Sequence, residues 1–391
     1  MENQEMTRKI QKKRRIRRQP SSPSVPHDPS EILSKLPAKS AKRVRNESFE
    51  TNRSARERPR LLVCFREGDK LFSFSISQQN NQNRNESYSY SLSPRIASYQ
   101  MTKAEHHFPF TMKTDSVQGL ICFQKTRNPI VWNPSMRKFS TLPKPGKKWE
   151  GKHITVFLGY DPIQGKHKVV CMPFDKRIDV CRALTLGSDH EQWRSVETNH
   201  NHLPTTGKSI VDFYGRCING VLYYHAKLGS SERVIMSFDV RFEKFGVITL
   251  PWGKFRDPMP MMMISYLGKL ACVGHVNTVN EIWMWVLEDA TKHKWSLNQF
   301  TPRSQDGQGQ FWQSNQFKLS GATDDGELIY VRKEILESLD IVYIDPKRKM
   351  FRRVEYRGIV DDGFRRRNGL GDGPLGELQV FNNHIDTVMS L

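Results

Sequence analysis

The sequence lacks long apolar runs and closely spaced cysteines, and each absence excludes a class of protein. No run of 18 or more residues is apolar, so we expect no membrane-spanning helix and no membrane partner. The first residues are charged throughout and contain no apolar core, so we expect no secretory signal peptide. The cysteines never lie within four positions of one another, which indicates small core residues in a reducing compartment: Cys64, Cys122, Cys171, Cys181, Cys217 and Cys272.

Positive charge exceeds negative charge, and half of the excess lies in the first 60 residues. The formal net charge is +20, and residues 1–60 hold 17 Lys and Arg against 7 Asp and Glu. No aromatic residue is interleaved with these cations and no recognition module accompanies them, so we expect no nucleic-acid partner. The run at 8–18 is typical of a nuclear import signal, and the alternative is a solvated tail without a receptor. The predicted import residues, for a protein of the nucleus, the cytoplasm or both, are Lys12, Lys13, Arg14, Arg15, Arg17 and Arg18.

Composition changes along the chain. Residues 1–27 are basic and rich in Pro and Ser, which predicts a disordered tail, and residues 78–87 predict a low-complexity loop. Asp28 followed by Pro29 predicts the start of a short helix. From Arg60 onward there is no long helical stripe. Short apolar runs separated by turn residues instead predict strands, at 61–65, 71–76, 120–123, 130–132, 155–158, 221–224, 234–238, 282–287 and 328–331.

The predicted strands repeat. Asn133, Asp239 and Asp345 each follow an apolar run, lie 106 residues apart and precede a second strand. Looser copies occur near Ser188 and Glu288, so the period is about 50 residues. A turn glycine opens a further strand in each copy: Gly119, Gly165, Gly220, Gly268 and Gly326. This period predicts a mainly all-β, kelch-like β-propeller of five or more blades, because a four-stranded blade must stack on neighbours to hide its apolar faces. A β-sandwich with evenly spaced strands is the alternative.

No motif for catalysis, a cofactor or a metal is complete. Gly207-Lys208-Ser209 is not a P-loop because a His occupies position 202. The Gly369–Gly373 run is interpreted as a floppy loop, and the His pairs at 106–107 and 200–202 as solvated residues without a third ligand. The turn residues Asn133, Asp161, Asp239 and Asp345 are interpreted as turn formers. Packing between blades is the main role predicted for Trp132, Trp193, Trp252, Trp283, Trp285, Trp295 and Trp312.

Two sets of motifs resemble a known family. The run Glu31–Ser40 is similar to the first half of a plant F-box. The second set begins at Arg58 and includes runs at 119–122, 131–135, 158–162, 217–224, 237–241 and 386–391. In order and spacing this set resembles the F-box associated β-propeller type 3 domain of flowering-plant F-box proteins. On this basis the expected domains are a tail at 1–27, a short helical F-box remnant at 28–57 and a propeller at 58–391.

The resemblance implies a function and also reveals departures. Family members bind a Skp-type adaptor through the F-box, which links them to a cullin ligase complex, and recruit a protein target through the propeller. The implied adaptor-binding residues are Ile32, Leu33, Leu36, Pro37 and Ala38. This chain lacks the family's Leu-Ile pair before Glu31, and its third F-box helix is largely missing, which indicates an internal deletion. We therefore expect adaptor binding to be weak or lost.

Three functions remain open at this stage. The first is a non-catalytic substrate-recognition adaptor of a Skp–cullin–F-box ubiquitin ligase, with an unknown protein target. The second is a propeller interaction module that is uncoupled from the ligase. The third is a propeller enzyme with paired carboxylates in its channel, although the sequence predicts no catalytic residue, no cofactor and no metal, and we expect no enzyme.

Overall fold

The computed structural model describes sixteen segments of the chain, all within one compact unit, Arg56–Leu391. The segments are 59–67, 70–77, 95–100, 114–123, 128–146, 154–173, 176–188, 192–205, 215–229, 232–252, 261–276, 280–305, 314–334, 338–356, 360–375 and 378–391. The predicted tail, F-box remnant and low-complexity loop lie outside the described residues.

The described residues form 24 strands. In chain order they are β1 (Arg60–Glu67), β2 (Lys70–Ser77), β3 (Arg95–Gln100), β4 (Ile121–Phe123), β5 (Ile130–Asn133), β6 (Lys138–Thr141), β7 (Ile154–Asp161), β8 (Lys166–Pro173), β9 (Ile178–Thr185), β10 (Arg194–Pro204), β11 (Arg216–Ile218), β12 (Val221–Leu228), β13 (Glu232–Asp239), β14 (Phe245–Thr249), β15 (Met262–Tyr266), β16 (Lys269–Val276), β17 (Glu281–Asp289), β18 (Lys294–Phe300), β19 (Arg303–Ser304), β20 (Phe317–Ala322), β21 (Leu328–Arg332), β22 (Leu339–Asp345), β23 (Met350–Tyr356) and β24 (Gln379–His384).

All nine runs predicted from the sequence coincide with strands. The central residues of β1, Leu61–Phe65, are all buried, because both faces of this strand pack against other strands. In strands nearer the outside of the blades, such as β10, more buried and more exposed positions alternate along the chain. The all-β prediction is therefore confirmed.

These strands make six blades in the described part of the chain. Blades one, five and six are the sheets β24-β1-β2-β3, β15-β16-β17-β18 and β20-β21-β22-β23, the last with β19 added to its outer edge. Blade two is β4-β5-β6, and residues 114–117 run along the free side of β4 through bonds such as Thr114 N to Cys122 O (2.7 Å). An eight-stranded sheet contains blades three (β7 to β10) and four (β11 to β14).

Blades three and four are joined by one long strand. The first half of β10 pairs with β9, and after a bulge its last residues, His202–Pro204, pair with β12. Since β11 pairs with β12 on the same side, the inner strand of blade four is built from two separate pieces of chain.

Six hydrophobic clusters fill the spaces between neighbouring blades, one for each contact around the ring. The cluster between blades one and two contains Leu62, Ile121 and Phe381, and the cluster between blades six and one contains Leu61 and Ile329. The other four lie between blades two and three, three and four, four and five, and five and six. Each blade therefore hides both faces, and the ring is a closed propeller.

The last strand closes the ring. In β24, Val380 and Phe381 pair with Val63 and Leu62 of the first strand, so the two ends of the domain share blade one. Residues 385–391 leave the closing strand and cross blade two, where the Asn133 side chain donates hydrogen bonds to the carbonyls of Thr387 (3.3 Å) and Met389 (2.9 Å).

One type of turn recurs through the ring and confirms the repeat. Asn133, Asp239 and Asp345 all end the third strand of their blades, and their Oδ1 atoms accept bonds from backbone amides two or three residues later. Asp289 does the same at the end of β17, and Asp161 caps the turn after β7, the first strand of blade three, in the same way. Four positions after these caps the backbone has a positive φ of 50–65°, at Arg137, Gly165, Glu243, His293 and Lys349. Turn formation by these acids and amides is therefore confirmed.

A short helix precedes the glycine-rich loop. The helix α1 (Asp362–Asn368) begins after Asp361, whose side chain accepts a bond from Phe364 N, and Gly369 ends it at φ 67°. Arg365 is buried and donates to the carbonyls of Val360 (3.2 Å), Gly371 and Gly373 (2.8 Å). The glycine run at 369–373 is a loop, as the sequence predicts, and the buried Arg365 guanidinium bonds two of its carbonyls. Within the described segments, no helix is long and apolar enough to cross a membrane.

Candidate functional site

One end of the ring carries its tight turns, and we call this end the turn face. Because the blades are antiparallel, the turns after their first and third strands lie at the same end. Turns of neighbouring blades contact one another around the axis. For example, the Asn219 side chain of blade four donates a hydrogen bond to Gly268 O of blade five (2.9 Å). Exposed cations lie on the turns of several blades, including Arg137 and Lys138 in blade two and Lys347 in blade six. Cations therefore lie on several turns of this face, together with acids such as the turn caps and the exposed Asp324 and Asp325 of blade six.

Large apolar side chains are exposed on the same face. Phe242 is 65% exposed. The guanidinium carbon of Arg241 lies 5.3 Å from the centre of the Phe242 ring. Ile163 is 70% exposed, and Met136 and Leu267 are also exposed. These four side chains lie on the turns of blades two to five. Exposed apolar side chains beside polar and charged groups, as where Phe242 lies beside Arg241, are typical of surfaces that contact other proteins.

A shallow pocket of about 710 Å³ lies between blades five and six, and we call it the rim pocket. It forms where the chain leaves β18 and β19 joins the outer edge of blade six as a parallel strand. Backbone bonds fix this junction, from Arg303 N to Lys349 O (2.9 Å) and from Gln305 N to Phe351 O (3.0 Å). The lining residues are Phe300, Thr301, Arg303, Ser304, Arg348, Lys349 and Met350.

The rim pocket is positively charged. Arg303, Arg348 and Lys349 are exposed, and among the described residues the carboxylate that pairs with one of them is that of Asp345. Asp345 holds its own turn and lies 3.7 Å from Arg348 Nε. Its single charge therefore offsets one cation of three, and the pocket can bind an anionic group.

The central channel is held together by buried polar contacts. Arg216, on the inner strand of blade four, is 4% exposed. Its Nε donates to Met263 O of blade five (2.9 Å) and lies 3.3 Å from the carboxylate of Asp115 in blade two. One guanidinium thus ties three blades together at the channel.

Carboxylates of the channel are engaged in structural contacts. Among the described inner-strand residues the acids are Asp115, paired with Arg216, and Asp161, which caps the turn after β7. Burial raises the pKa of the Cys217 thiol to about 11 and of the Cys181 and Cys272 thiols to about 12, so the thiols are protonated. In the described segments, no group of three His, Cys, Asp or Glu side chains could hold a metal.

One histidine that we expected to be solvated is buried. His202 is fully buried because β10 turns it inward, and its Nε2 lies 2.7 Å from Tyr224 Oη. Its interpretation as a solvated residue was wrong, while the pair at 106–107 lies outside the described residues. Burial lowers the pKa to about 4 for His167, His225, His275 and His384. These rings are neutral structural groups near pH 7.

The tryptophan interpretation is confirmed for the described rings. Trp132 is fully buried, and Trp252, Trp283, Trp285 and Trp295 pack against the cluster between blades four and five. Trp193 donates from its indole to Pro143 O (2.8 Å), which links blade three to blade two. Trp312 lies outside the described residues.

The residues predicted to bind the adaptor and the import receptor, at 32–38 and 12–18, all lie outside the described residues. The structure instead reveals functional candidates that sequence reasoning missed, the turn-face side chains and the rim pocket. A signal was present in the cations that follow each turn cap, such as Lys347, Arg348 and Lys349. Their convergence with Arg303, more than 40 residues away, is set by β19 and has no local signal.

Comparison with known families gives a result consistent with this architecture. The profile described as an F-box associated beta propeller domain matches residues 60–385, from the first strand to one residue beyond the last. The fold is thus that of the propeller class found behind an F-box.

Relatives match over the whole chain. A protein of Arabidopsis thaliana that is named as an F-box protein, At1g47730, is 49% identical over 407 aligned positions that span 100% of both chains. F-box protein At1g48060 of the same plant is 43% identical over 94% of this chain and 93% of its own. The protein described here belongs to this family of plant F-box proteins with an F-box associated β-propeller. A crystal structure of a Lactobacillus plantarum protein aligns at 8% identity with a TM-score of 0.41, covering 76% and 82% of the two chains, a likeness too distant to carry an argument.

Proposed function

We propose that this protein is a non-catalytic substrate-recognition adaptor of a Skp–cullin–F-box ubiquitin ligase and binds a protein target through its propeller. The observation that carries this proposal is the propeller match at 60–385 behind a segment, Glu31–Ser40, that is similar to half of an F-box. A closed ring with charged turns and exposed apolar side chains is a rigid surface of the kind that partners bind. Engagement of Asp115 and Asp161 in structural contacts favours a binding role over hydrolysis in the channel.

Coupling to the ligase depends on the F-box remnant. We expect Ile32, Leu33, Leu36, Pro37 and Ala38 to contact a Skp-type adaptor, because an apolar helical face that fills a groove is a common docking mode. Interface energy concentrates in a few anchors, and the loss of several anchors weakens binding by orders of magnitude.

The second candidate function is a propeller module that binds its target without the ligase. It is favoured by the missing Leu-Ile pair and by the sequence of the third F-box helix, which is largely missing. The alignment with At1g47730 extends over 407 positions, more than the 391 residues of this chain, so the relative has residues that this chain lacks.

Calorimetric titration of the full chain with a plant Skp-type adaptor tests the coupling. At1g48060 in the same titration is the reference, and Leu33→Asp with Leu36→Asp is the variant that removes two anchors. We expect binding at least about a hundredfold weaker than the reference, abolished by the double variant. Affinity equal to the reference would show that the remnant suffices, and no measurable binding would favour the uncoupled module.

We further propose that the basic run directs the protein to the nucleus. The predicted residues are Lys12, Lys13, Arg14, Arg15, Arg17 and Arg18. Alanine at the first four of these positions in a fluorescent fusion is expected to shift the signal to the cytoplasm. Alanine at Lys35 and Lys39, which lie outside the run, is the control. An unchanged distribution in the four-residue variant would reject import through this run.

A further inference from the structure

We propose that the rim pocket binds an acidic segment of a partner protein. The inference deepens the proposed function and rests on it, because it gives the chemistry of the segment that a target would present to the propeller. The pocket lies on described residues of blades five and six.

Hydrogen bonds to backbone atoms hold both walls of the pocket in place. Arg303 pairs with Met350 and Ser304 with Phe351, which fixes the approach of β19 to the outer edge of blade six. On the opposite wall, the Asp345 carboxylate accepts bonds from Lys347 N (2.8 Å) and Arg348 N (3.1 Å). Two independent sets of hydrogen bonds thus hold the walls in place before any ligand arrives. Preorganisation of this kind reduces the entropy cost of binding.

Three cations face this space. Arg303 comes from the chain that leaves blade five, while Arg348 and Lys349 come from the last turn of blade six. Lys349 is in the left-handed region at φ 57°, a conformation that the turn imposes. Within the described segments, no carboxylate lies within 4.0 Å of the charged groups of Arg303 or Lys349, so both charges are available to a ligand.

The chemistry of the lining favours an acidic polypeptide over other anions. The single aromatic ring in the lining, Phe300, is 3% exposed, so it offers no platform on which a nucleic-acid base could stack. A membrane surface would need several exposed apolar side chains at the pocket, and its apolar members, Phe300 and Met350, are buried and half-buried. Exposed guanidinium and ammonium groups over a shallow pocket suit carboxylates that arrive on a flexible chain.

A matched control exists because the turns repeat. Arg137 occupies in blade two the position that Lys349 occupies in blade six, four residues after the cap, with φ 53° against 57°. Both side chains are exposed. Arg137→Glu therefore makes the same charge change in the same backbone conformation, away from the rim pocket.

Fluorescence anisotropy of the full chain with a labelled Glu-rich peptide spaced by leucines tests the proposal. We expect binding at low salt that weakens as salt rises, and little binding of the same peptide with Gln for Glu. Arg303→Glu combined with Lys349→Glu is expected to weaken binding at least about tenfold. Lys349→Glu alone is expected to weaken it at least about threefold, and its matched control Arg137→Glu less than about twofold. All variants are compared by thermal melting, because exposed substitutions should leave the melting temperature unchanged.

Several results would overturn the proposal. Equal weakening by Arg137→Glu would show that net charge alone attracts the peptide, and no binding at low salt would show that the pocket is not a site. Tighter, pocket-dependent binding of an oligonucleotide or of phosphatidylserine vesicles would assign the pocket to another partner. Adaptor binding is measured on the same variants, so a failure of the pocket and a failure of ligase coupling are read separately.

Discussion

Asp239 holds the turn between β13 and β14 through two backbone amides. Its Oδ1 accepts bonds from Arg241 N (2.9 Å) and Phe242 N (2.8 Å). The same turn presents Glu243, which reaches Lys168 Nζ (2.6 Å) and the guanidinium of Arg194 in blade three. Burial opposes ionisation of Glu243, but the bonds from these two cations outweigh burial and lower its pKa. One acidic side chain thus positions the residue that ties two blades together.

We expect Asp239→Ala to lower the free energy of unfolding by about 1–2 kcal/mol, because two amides lose a charged acceptor. Urea unfolding followed by tryptophan fluorescence measures the change. Asp239→Asn retains the acceptor oxygen and is the control, with an expected loss about half as large or less. Equal losses in both variants would show that the carboxylate charge, and not turn capping, carries the effect.

At the scale of elements, α1 depends on Arg365. The helix packs Phe364 against Phe65, Phe72 and Phe74 of blade one. Arg365 is buried and donates to the carbonyls of Val360, Gly371 and Gly373, so its removal would take away the donor that holds this loop against the helix.

Arg365→Leu is therefore expected to loosen the segment 369–373 and to increase the rate of chymotrypsin cleavage after Leu370 about tenfold or more. Arg366→Leu makes the same change at an exposed position of the same helix and is expected to leave the rate unchanged. Cleavage rates are followed by mass spectrometry of the native protein. Similar rates in the two variants would contradict a role for the buried guanidinium.

Some elements could be predicted from the sequence because their causes are local. The cap at Asp345 and the apolar run before it mark a strand and its turn, and this pattern gave the blade repeat. In contrast, β24 (Gln379–His384) is an inner strand that borders the channel. Part of it is therefore polar, and its sequence shows no apolar pattern. Its partner β1 lies at the other end of the domain, and no local signal indicates that pairing. The rim pocket was missed for the same reason, since β19 is two residues long and pairs across blades.

At the scale of the whole molecule, buried histidines make the propeller sensitive to acid. Burial lowers the pKa of His167, His225, His275 and His384 from 6.5 to about 4, so these rings stay neutral in the folded protein. As the pH falls from about 6.5 to 4, the unfolded chain takes up protons that the folded protein does not. Stability is therefore full above about pH 6.5 and falls across this window.

We expect the melting temperature to fall by about 5–10 °C between pH 7 and pH 5. His167→Gln retains a donor for Val117 O (2.9 Å in the native protein) and removes one titrating group, so the fall should be smaller. The exposed His293→Gln is the matched control. Differential scanning fluorimetry at constant ionic strength measures both. A flat profile from pH 7 to pH 5 would contradict neutral histidines in the core.

Pairing of β24 with β1 also sets the order of events during protein synthesis. Leu62 cannot pair with Phe381 until the roughly 320 residues between them have been translated. At about 5–20 residues per second, the ribosome takes about 15–65 s to supply them. During this time the apolar strand Leu61–Phe65 has a bare edge, which is a template for wrong pairing with other nascent chains. A cell that makes this protein therefore has to shield its first strand until the last one arrives.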